Sequence, residues 1–590
     1  MTRFWDRRFA PLAVVAIAVA LYAPTVFFHK IGLDDDWLWS DTSPLRSLDL
    51  RQLHTIFCKL DYASRQPLGG EYLPIRDVLV ALDMAIWRGN ASGPHITQLL
   101  LFGLLVFGLG TLLVRWKFPR PVAWGGVLLW AAHPLGVQSV AWMSERKGIL
   151  AALFVVGVGH AWARWREGGR PLALVIAVVS AVCAVWSKAP AVFAPAVFAA
   201  WDLLLLPRDR RRWIAIAAVG AAAALAAIPV VIVASQHRVI DDTAGATGGV
   251  DVSRVVASLG SLGHYAQGAL LVRTPSLSYP IQSYGPATRD LVCGVLVIAA
   301  ALALLLWRRH SERYRLRLAL LAWSAVWFLP VSHLIAPVHI LVADRYVFLL
   351  MVGPCVGAAL ALERLPRIAR LAAGGALACG LAIATIHAEL PWTNSIELFS
   401  HGCDVNPRDP QMCDNLASAL VTAHAPDAAL AAANHGLEAF PKEPHLEMRV
   451  AQILWDAGDR EGALAAAQRG AESGLSSASW RYAVLLEQAG RAGDALWWAR
   501  RAARFHPELA SYQETLATVL VELGDFAGAE AALRIAIASP DHPLIDDVRL
   551  AEILIRQGRR LEVPRVLDRV RDKPEVAEPV RRLERQLGVP

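Results

Sequence analysis

The chain has 590 residues, 55% of them hydrophobic and 18% charged, with a mean hydropathy of +0.40 and a formal net charge of +7. Such hydropathy excludes a wholly water-soluble protein, and the length leaves room for several domains. The positive charge does not point to nucleic acid, because Arg and Lys fall in alternate loops and not along one continuous face.

In chain order, apolar runs long enough for a hydrocarbon core of about 30 Å recur from Pro11 to His387 and then stop. About eleven spans are predicted, at 10–28, 95–114, 121–135, 147–163, 171–187, 189–206, 213–233, 291–307, 318–335, 343–362 and 369–388. The loops that hold Arg3/Arg7/Arg8, Arg115/Lys117/Arg120, Arg164/Arg166/Arg170, Arg208/Arg210/Arg211/Arg212, Arg308/Arg309/Arg313/Arg315/Arg317 and Arg364/Arg367/Arg370 are basic. They read as cytoplasmic by the positive-inside pattern. The first run ends in Phe27-Phe28-His29-Lys30 and not in small residues, so it is read as an uncleaved first span with its N-terminus inside. An odd span count then places the C-terminal part outside.

Two long outer loops are expected, 32–94 and 235–289. The first opens on "KIGLDDDWLW", where Asp34, Asp35 and Asp36 stand beside Trp37 and Trp39 just past a span. In an extended segment Asp34 and Asp36 point one way and Asp35 the other. The same loop carries "EYLPIRDVLVALDMAIW", an amphipathic stretch suited to the membrane interface. The second loop begins with the flexible text "DDTAGATGGV".

Between apolar runs, "HPLGVQSVAWMSERKGIL" gathers His133, Gln138, Glu145, Arg146 and Lys147 on the outside. Lys188 in "WSKAP" and Asp344-Arg345 in "VADRY" join that level. Cations on the outer side run against the charge trend and call for an anionic partner; ionisable groups at membrane depth are functional candidates. One group of carboxylates facing several cations suits a lipid-linked phosphate: cations hold the phosphate and a carboxylate takes a proton from an attacking hydroxyl. The plain alternative is neutralisation by nearby carboxylates or lipid headgroups. His95, His333 and His339 read as structural histidines. No metal-ligand spacing, P-loop or dinucleotide glycine pattern occurs, and any divalent metal requirement stays open.

After Pro391 the text turns Ala-rich and amphipathic. Gly458, Gly490, Gly524 and Gly558 recur at a period near 34, with Ala463, Ala495 and Ala529 in step, and "AGDREGAL", "AGRAGDAL" and "LGDFAGAE" are near copies. This is the tetratricopeptide pattern, with four to five units expected between Trp392 and Val570 and a concave face suited to extended peptides. Of seven cysteines, Cys183, Cys293, Cys355 and Cys379 read as core residues. A Cys403–Cys413 disulfide is compatible with an oxidising compartment, but spacing alone does not show it.

The order of an apolar helix, "LDDDWLW", "YLPIRDVLV", "HPLGVQSVAWMSERKGILAALF", "WSKAPAVFAPAVFAAWDLLL", "VADRYVFL" and then the repeats resembles the transmembrane-and-tetratricopeptide-repeat O-mannosyltransferases and their bacterial relatives, of the GT-C glycosyltransferase class. The resemblance implies an all-α membrane domain over 1–390 and a non-cytoplasmic repeat domain over 391–590. It implies transfer of a sugar, such as mannose, from a polyprenyl-phosphate donor to a Ser or Thr hydroxyl of a protein acceptor. Asp34 and Asp35 would be catalytic; Arg146, Lys147, Lys188 and Arg345 would bind the donor phosphate; His133, Gln138, Asp36 and Asp344 would line the donor site. Gln138 stands where that family has Glu, and Leu73 where it has Arg. The composition suggests a bacterial source, hence an inner membrane with the repeats in the periplasm. A membrane-anchored scaffold without enzymatic activity is the rival reading; a transporter would carry mid-helix charges or inverted repeats.

Overall fold

The computed structural model describes residues 9–40, 43–240, 252–271, 275–307, 311, 313–335, 340–539 and 542–587. Arg3, Arg7, Arg8, Arg308, Arg309, His339 and the 241–250 stretch lie outside the described residues. Among those described, the chain is all-α, with no strand. Contacts divide it into two units, to Asn406 and from Pro407. The boundary falls beyond residue 390 because the helix Ser395–Val405 is tied to the first unit. Gly32 N–H donates to Ser395 Oγ (2.7 Å), and the Asn406 amide donates to Ser278 Oγ (2.9 Å) and Tyr279 O (3.0 Å).

The first unit is a bundle around α1 (Phe9–Tyr22), α2 (Asp34–Leu38), α3 (Pro74–Trp87), α4 (Ser92–Arg115), α5 (Arg120–Ala131), α6 (Val137–Ala141), α7 (Arg146–Gly168), α8 (Pro171–Val185), α9 (Ala194–Leu205), α10 (Arg210–Ile240), α11 (Val252–Leu271), α12 (Thr288–Leu306), α13 (Tyr314–Phe328), α14 (Val352–Leu362) and α15 (Arg367–Glu389). On α4 one face buries Phe102, Leu105, Leu109 and Leu113, while Leu100, Leu104 and Phe107 stay exposed on the other. An exposed apolar face opposite a packed one is what a lipid-facing helix presents. This is a membrane protein.

Among the described residues six helical segments are long and apolar enough to cross a bilayer: Phe9–Phe27, Ser92–Arg115, Met143–Gly168, Arg210–Gln236, Thr288–Leu306 and Arg367–Thr393. The other runs fold into shorter helices. The run at 121–135 stops at His133-Pro134, the run at 318–335 breaks at Leu329-Pro330, and 343–362 is a 3-10 turn over Asp344–Tyr346 followed by α14. In the first two, proline lacks the N–H that would continue the helix. In the other direction, α11 lies inside the segment expected to be loop. It packs tightly on α12: a Cβ placed on Gly263 would meet Asp290 O at 1.8 Å, and one on Gly294 would meet Leu259 O at 2.2 Å. Small residues let two helix backbones approach, a device of membrane bundles.

At the basic-loop side of the bundle the Asp202 carboxylate, fully buried on α9, accepts from Arg212 Nε (2.8 Å) and Trp162 Nε1 (2.8 Å) and pairs with Arg166 (2.7 Å). Asp202→Ala would remove the buried carboxylate that Arg212 and Arg166 share, leaving Arg166 only its partly exposed partner Asp209 (3.1 Å). We expect it to cost about 3–5 kcal/mol of stability, read as a fall in the detergent-solubilised protein's unfolding midpoint.

The second unit stacks helix pairs: Pro410–Thr422 with Pro426–Ala439, Pro444–Asp456 with Arg460–Glu472, Ser476–Gln488 with Ala492–Phe505, and Ala510–Glu522 with Phe526–Ala538. Ile545–Arg556, Val563–Leu567 and Ala577–Leu587 close the stack. Each turn needs a left-handed residue, supplied by Gly458, Gly490, Gly524 and Gly558 (φ +72° to +89°), and in the first pair by His424 (φ 57°). Small Ala463, Ala495 and Ala529 are fully buried where paired helices touch. Cys403 and Cys413 are both buried.

Inside this stack Asp546 is fully buried beside Glu514, and burial and then that like charge push it up to about 7. Its folded value lies above the unfolded one, so the stability linked to its proton is present below about pH 4 and is lost as pH rises through about 7. Hydrogen-exchange protection across Ala510–Arg556 should therefore fall between pH 6 and 8 after correction for intrinsic rates. In Asp546→Asn that fall should disappear.

Candidate active site

The aspartate triplet does not run extended. It opens α2, and successive residues on a helical turn diverge by about 100°. The three carboxylates therefore face three ways. Asp35 is buried and accepts from Ile31 N–H (3.1 Å), Ser144 N–H (3.0 Å) and the Ser144 hydroxyl. Its burial pushes it up to about 7. Asp36 is exposed, lies by Gly32 and is raised by partial desolvation. Asp34 is half-buried, with no hydrogen bond or ion pair among the described residues, and lies within electrostatic reach of Arg76 and Lys147. Asp35 thus pins the turn to the Met143–Glu145 segment, and Asp34 stays within electrostatic reach of Lys147 and Arg76.

Those cations sit in two linked groups. Lys147 Nζ donates to Glu71 (2.9 Å), and Glu71 also takes Arg76 (3.1 Å). Burial raises the Glu71 carboxyl, but Lys147 and Arg76 pull it further the other way, to about 2. Lys188 Nζ donates to Glu145 (2.6 Å), whose second oxygen lies 3.4 Å from Arg345. Glu145 is buried, while Lys188 and Arg345 keep 21% and 14% of their side chains exposed, the accessibility a ligand needs. The Arg345 guanidinium also lies over the Trp142 ring (5.7 Å) and the Tyr346 ring (5.1 Å). Lys147 lies within electrostatic reach of Glu145 as well, so the two groups form one patch.

Lys188 and Arg345 border a cleft of about 140 Å³, partly open to solvent. Its other walls are apolar, with Ala151, Ala191, Pro330, Val331, Phe348 and Leu349 among them. Two cations at the edge of an apolar cleft match a ligand with an anionic head and a hydrocarbon tail.

Several expected site residues lie elsewhere. Arg146 is fully buried, held by Asp83 of α3, Pro94 O (2.6 Å) and Gln98 (3.4 Å); it ties α3, α4 and α7 together and is not open to a phosphate. His133 caps the Pro134–Gly136 turn, Nδ1 accepting from Leu135 N–H (3.2 Å) and Nε2 facing Ala269 O (3.2 Å), so it does not line the cleft. Gln138 is buried and its carbonyl accepts from Arg345 N–H (3.0 Å), which orients Arg345 from behind. Asp344 accepts from the Tyr279 hydroxyl (2.6 Å) and is raised to about 7 by burial, against the pull of that hydrogen bond and of the neighbouring Arg345. His95 is buried against Phe28, and His333 Nε2 lies 2.9 Å from Leu341 O. Among the described residues no group of His, Cys, Asp and Glu could hold a metal ion.

Sequence reasoning missed Glu71, Ser144 and Asp83. A usable signal existed for Asp83. In α3 the charged Arg76, Asp77 and Asp83 are buried while Leu82 and Ile86 are exposed, so the interfacial stretch turns its polar face to the protein.

No family model matches the chain. Protein O-mannosyl-transferase Tmtc3 of Drosophila melanogaster is 31% identical over 132 residues, which is 21% of this chain and 14% of that protein. Among solved structures, YrrB, described as a TPR protein with an unusual peptide-binding site, is matched over 32% of this chain and 99% of its own, at 14% identity and a TM-score of 0.29. TTC0263, a thermophilic TPR protein of Thermus thermophilus, is matched over 31% of this chain and all of its own, at 21% identity and a TM-score of 0.24.

Proposed function

We propose that the chain is a membrane glycosyltransferase of the GT-C type that moves a sugar from a polyprenyl-phosphate donor to a Ser or Thr hydroxyl of a protein on the non-cytoplasmic side. The observation that carries this reading is the Lys188 and Arg345 pair, bridged by Glu145 at the edge of an apolar cleft, with Asp34 within electrostatic reach of the neighbouring Lys147. The cleft takes the start of the polyprenyl chain, and Lys188 and Arg345 take its phosphate. Asp34 removes the acceptor's hydroxyl proton as that oxygen attacks the anomeric carbon. The bond from the anomeric carbon to the phosphate oxygen breaks, and polyprenyl phosphate leaves against the two cations. Charge developing on the leaving phosphate meets donors already in place, which is where electrostatic stabilisation is largest. Holding donor and acceptor together contributes up to about 7–11 kcal/mol.

Asp35, Arg146 and Gln138 act through others. Asp35 fixes the turn that bears Asp34, Arg146 locks α3 against α7, and Gln138 holds the Arg345 backbone. Glu145 keeps Lys188 and Arg345 side by side when no donor is bound. The repeat unit is the holder of the acceptor polypeptide, in a bacterial inner membrane with the repeats in the periplasm. The test is transfer of radiolabelled sugar from a polyprenyl-phosphate sugar to a Ser/Thr-rich peptide by the whole chain in nanodiscs. Label on the peptide is expected; label absent with every polyprenyl-phosphate hexose tried, from protein that binds both substrates, would favour a scaffold.

A further inference from the structure

One helix of the second unit, Ala492–Phe505, carries a face that the repeat framework does not require. Its alanines, Ala495, Ala499 and Ala502 among them, are buried where the helix packs. The opposite face holds Trp497 (58% exposed), Phe505 (56% exposed), Arg500, Arg501 and Arg504. At 100° per residue these five side chains fall within an arc of about 140°. Among the described residues of this unit, Trp497 and Phe505 are the exposed aromatic rings. In register with the buried Ala463, Ala495 and Ala529, the place of Trp497 is held by Ala465 in the preceding repeat and Ala531 in the following one. The stack therefore has no need of a large ring there. On those neighbouring helices Arg469 pairs with Glu447 and Arg534 with Glu530, each at 2.8 Å. Arg500, Arg501 and Arg504 have no ion pair among the described residues, and Arg501 lies over the Trp497 ring (5.2 Å). Asp494, the one carboxylate near this arc on the same helix, is taken by Arg491 (2.6 Å).

We propose that this face is a docking surface for an anionic lipid bilayer, with the Trp497 and Phe505 rings seated among the headgroups and Arg500, Arg501 and Arg504 on lipid phosphates. Aromatic rings with an apolar body settle at headgroup level, and unpaired guanidinium groups match phosphate in both charge and geometry. A basic and aromatic helix face lies in the plane of the interface. Two rings bury too little apolar surface to hold the face on a neutral bilayer, so the charges decide, and the lipid must be anionic. Chain continuity supplies the bilayer. The last apolar span ends at Thr393 and the first repeat helix opens at Pro410, so a lipid surface is always within a short tether of the repeats. An acidic protein would satisfy the same charges, but nothing ties one to this chain. The docking stands whether or not the first unit transfers a sugar.

The test is hydroxyl-radical footprinting of the whole chain in wide nanodiscs, with oxidation of Trp497 and Phe505 read by mass spectrometry against an added reference peptide. Each arginine near an anionic surface favours docking about fivefold, and three together about 100-fold. We expect both rings to be oxidised at least about fivefold more slowly in discs containing phosphatidylglycerol than in discs of phosphatidylcholine alone. That protection should vanish in about 0.5 M NaCl, which screens the charges. Replacing Arg500, Arg501 and Arg504 together by Gln should abolish it, and replacing them by Lys should keep most of it. Equal oxidation of the wild type in the two lipids would overturn the inference and needs no variant. Protection retained by the Gln variant, with its helical content unchanged by circular dichroism, would overturn it as well. Protection in native membranes with none in phosphatidylglycerol discs would assign the face to a protein partner and overturn the lipid reading.

Discussion

Asp34→Asn should reduce sugar transfer by about 100–10,000-fold while leaving membrane insertion and donor binding near wild type. The substitution keeps shape and hydrogen-bonding capacity but removes the ability to accept a proton. Asp34 is the member of the triplet whose carboxylate is unengaged among the described residues, half-buried and in the field of Lys147 and Arg76. It is therefore available to a hydroxyl, whereas the Asp35 oxygens already accept three donors. The matching Asp35→Asn variant separates the roles. An amide cannot accept all three of those bonds at once, so that variant should loosen the α2 turn and lower thermal stability together with rate. Asp34→Asn should lower rate alone. Single-turnover transfer, with unfolding midpoints measured on the same preparations, makes the distinction. Loss of stability in Asp34→Asn comparable to that in Asp35→Asn would remove Asp34 from the role of base.

The second large effect concerns the cations. Replacing Lys188 and Arg345 together by Met keeps most of the apolar stem and deletes both charges. Charge-assisted hydrogen bonds contribute about 1.5–3 kcal/mol each. Losing two should weaken the polyprenyl-phosphate donor by at least about 100-fold, at 1.4 kcal/mol per factor of ten. Because the same contacts hold the leaving phosphate as the bond breaks, the maximal rate should fall as well. Glu145 would be left buried without its partners, so the variant is best made with Glu145→Gln. Isothermal titration of the donor phosphate separates affinity from rate. Arg146→Met should behave differently, as a fold defect, since Arg146 is enclosed by Asp83, Pro94 and Gln98. Affinity unchanged in the triple variant would detach the cleft from the donor.

Much of the architecture was legible because it rests on composition and period. Apolar runs marked the helical membrane part, and the glycine period marked the repeats; only the first repeat was masked, because His424 takes the left-handed turn that Gly occupies in the others. Span length was less legible. Hydropathy does not register where a backbone breaks, and Pro134, Pro190 and Pro330 cut apolar text into short helices. The helix Val252–Leu271 was hidden for the opposite reason: its glycines and serines look like loop text, yet they are what allow the close crossing with Thr288–Leu306.

At the site, residue type and place in the chain were readable but partnership was not. Glu71 meets Lys147 from 76 positions away, and Asp83 meets Arg146 from 63. No local pattern encodes such pairs, so Arg146 and Lys147, adjacent in sequence, looked equivalent. On a helix they face different ways, and one is sealed in the bundle while the other borders the patch. The triplet was misjudged in one respect for the same reason: extended and helical turns aim neighbouring side chains differently, and only the fold decides between them.

The most direct measurement is mass spectrometry of exported proteins from cells carrying the wild-type gene and from cells carrying the Asp34→Asn allele at equal protein level. The account predicts hexose on Ser or Thr of exported polypeptides in the first and its loss in the second. Identical glycosylation in both, with the variant inserted and folded, would contradict it.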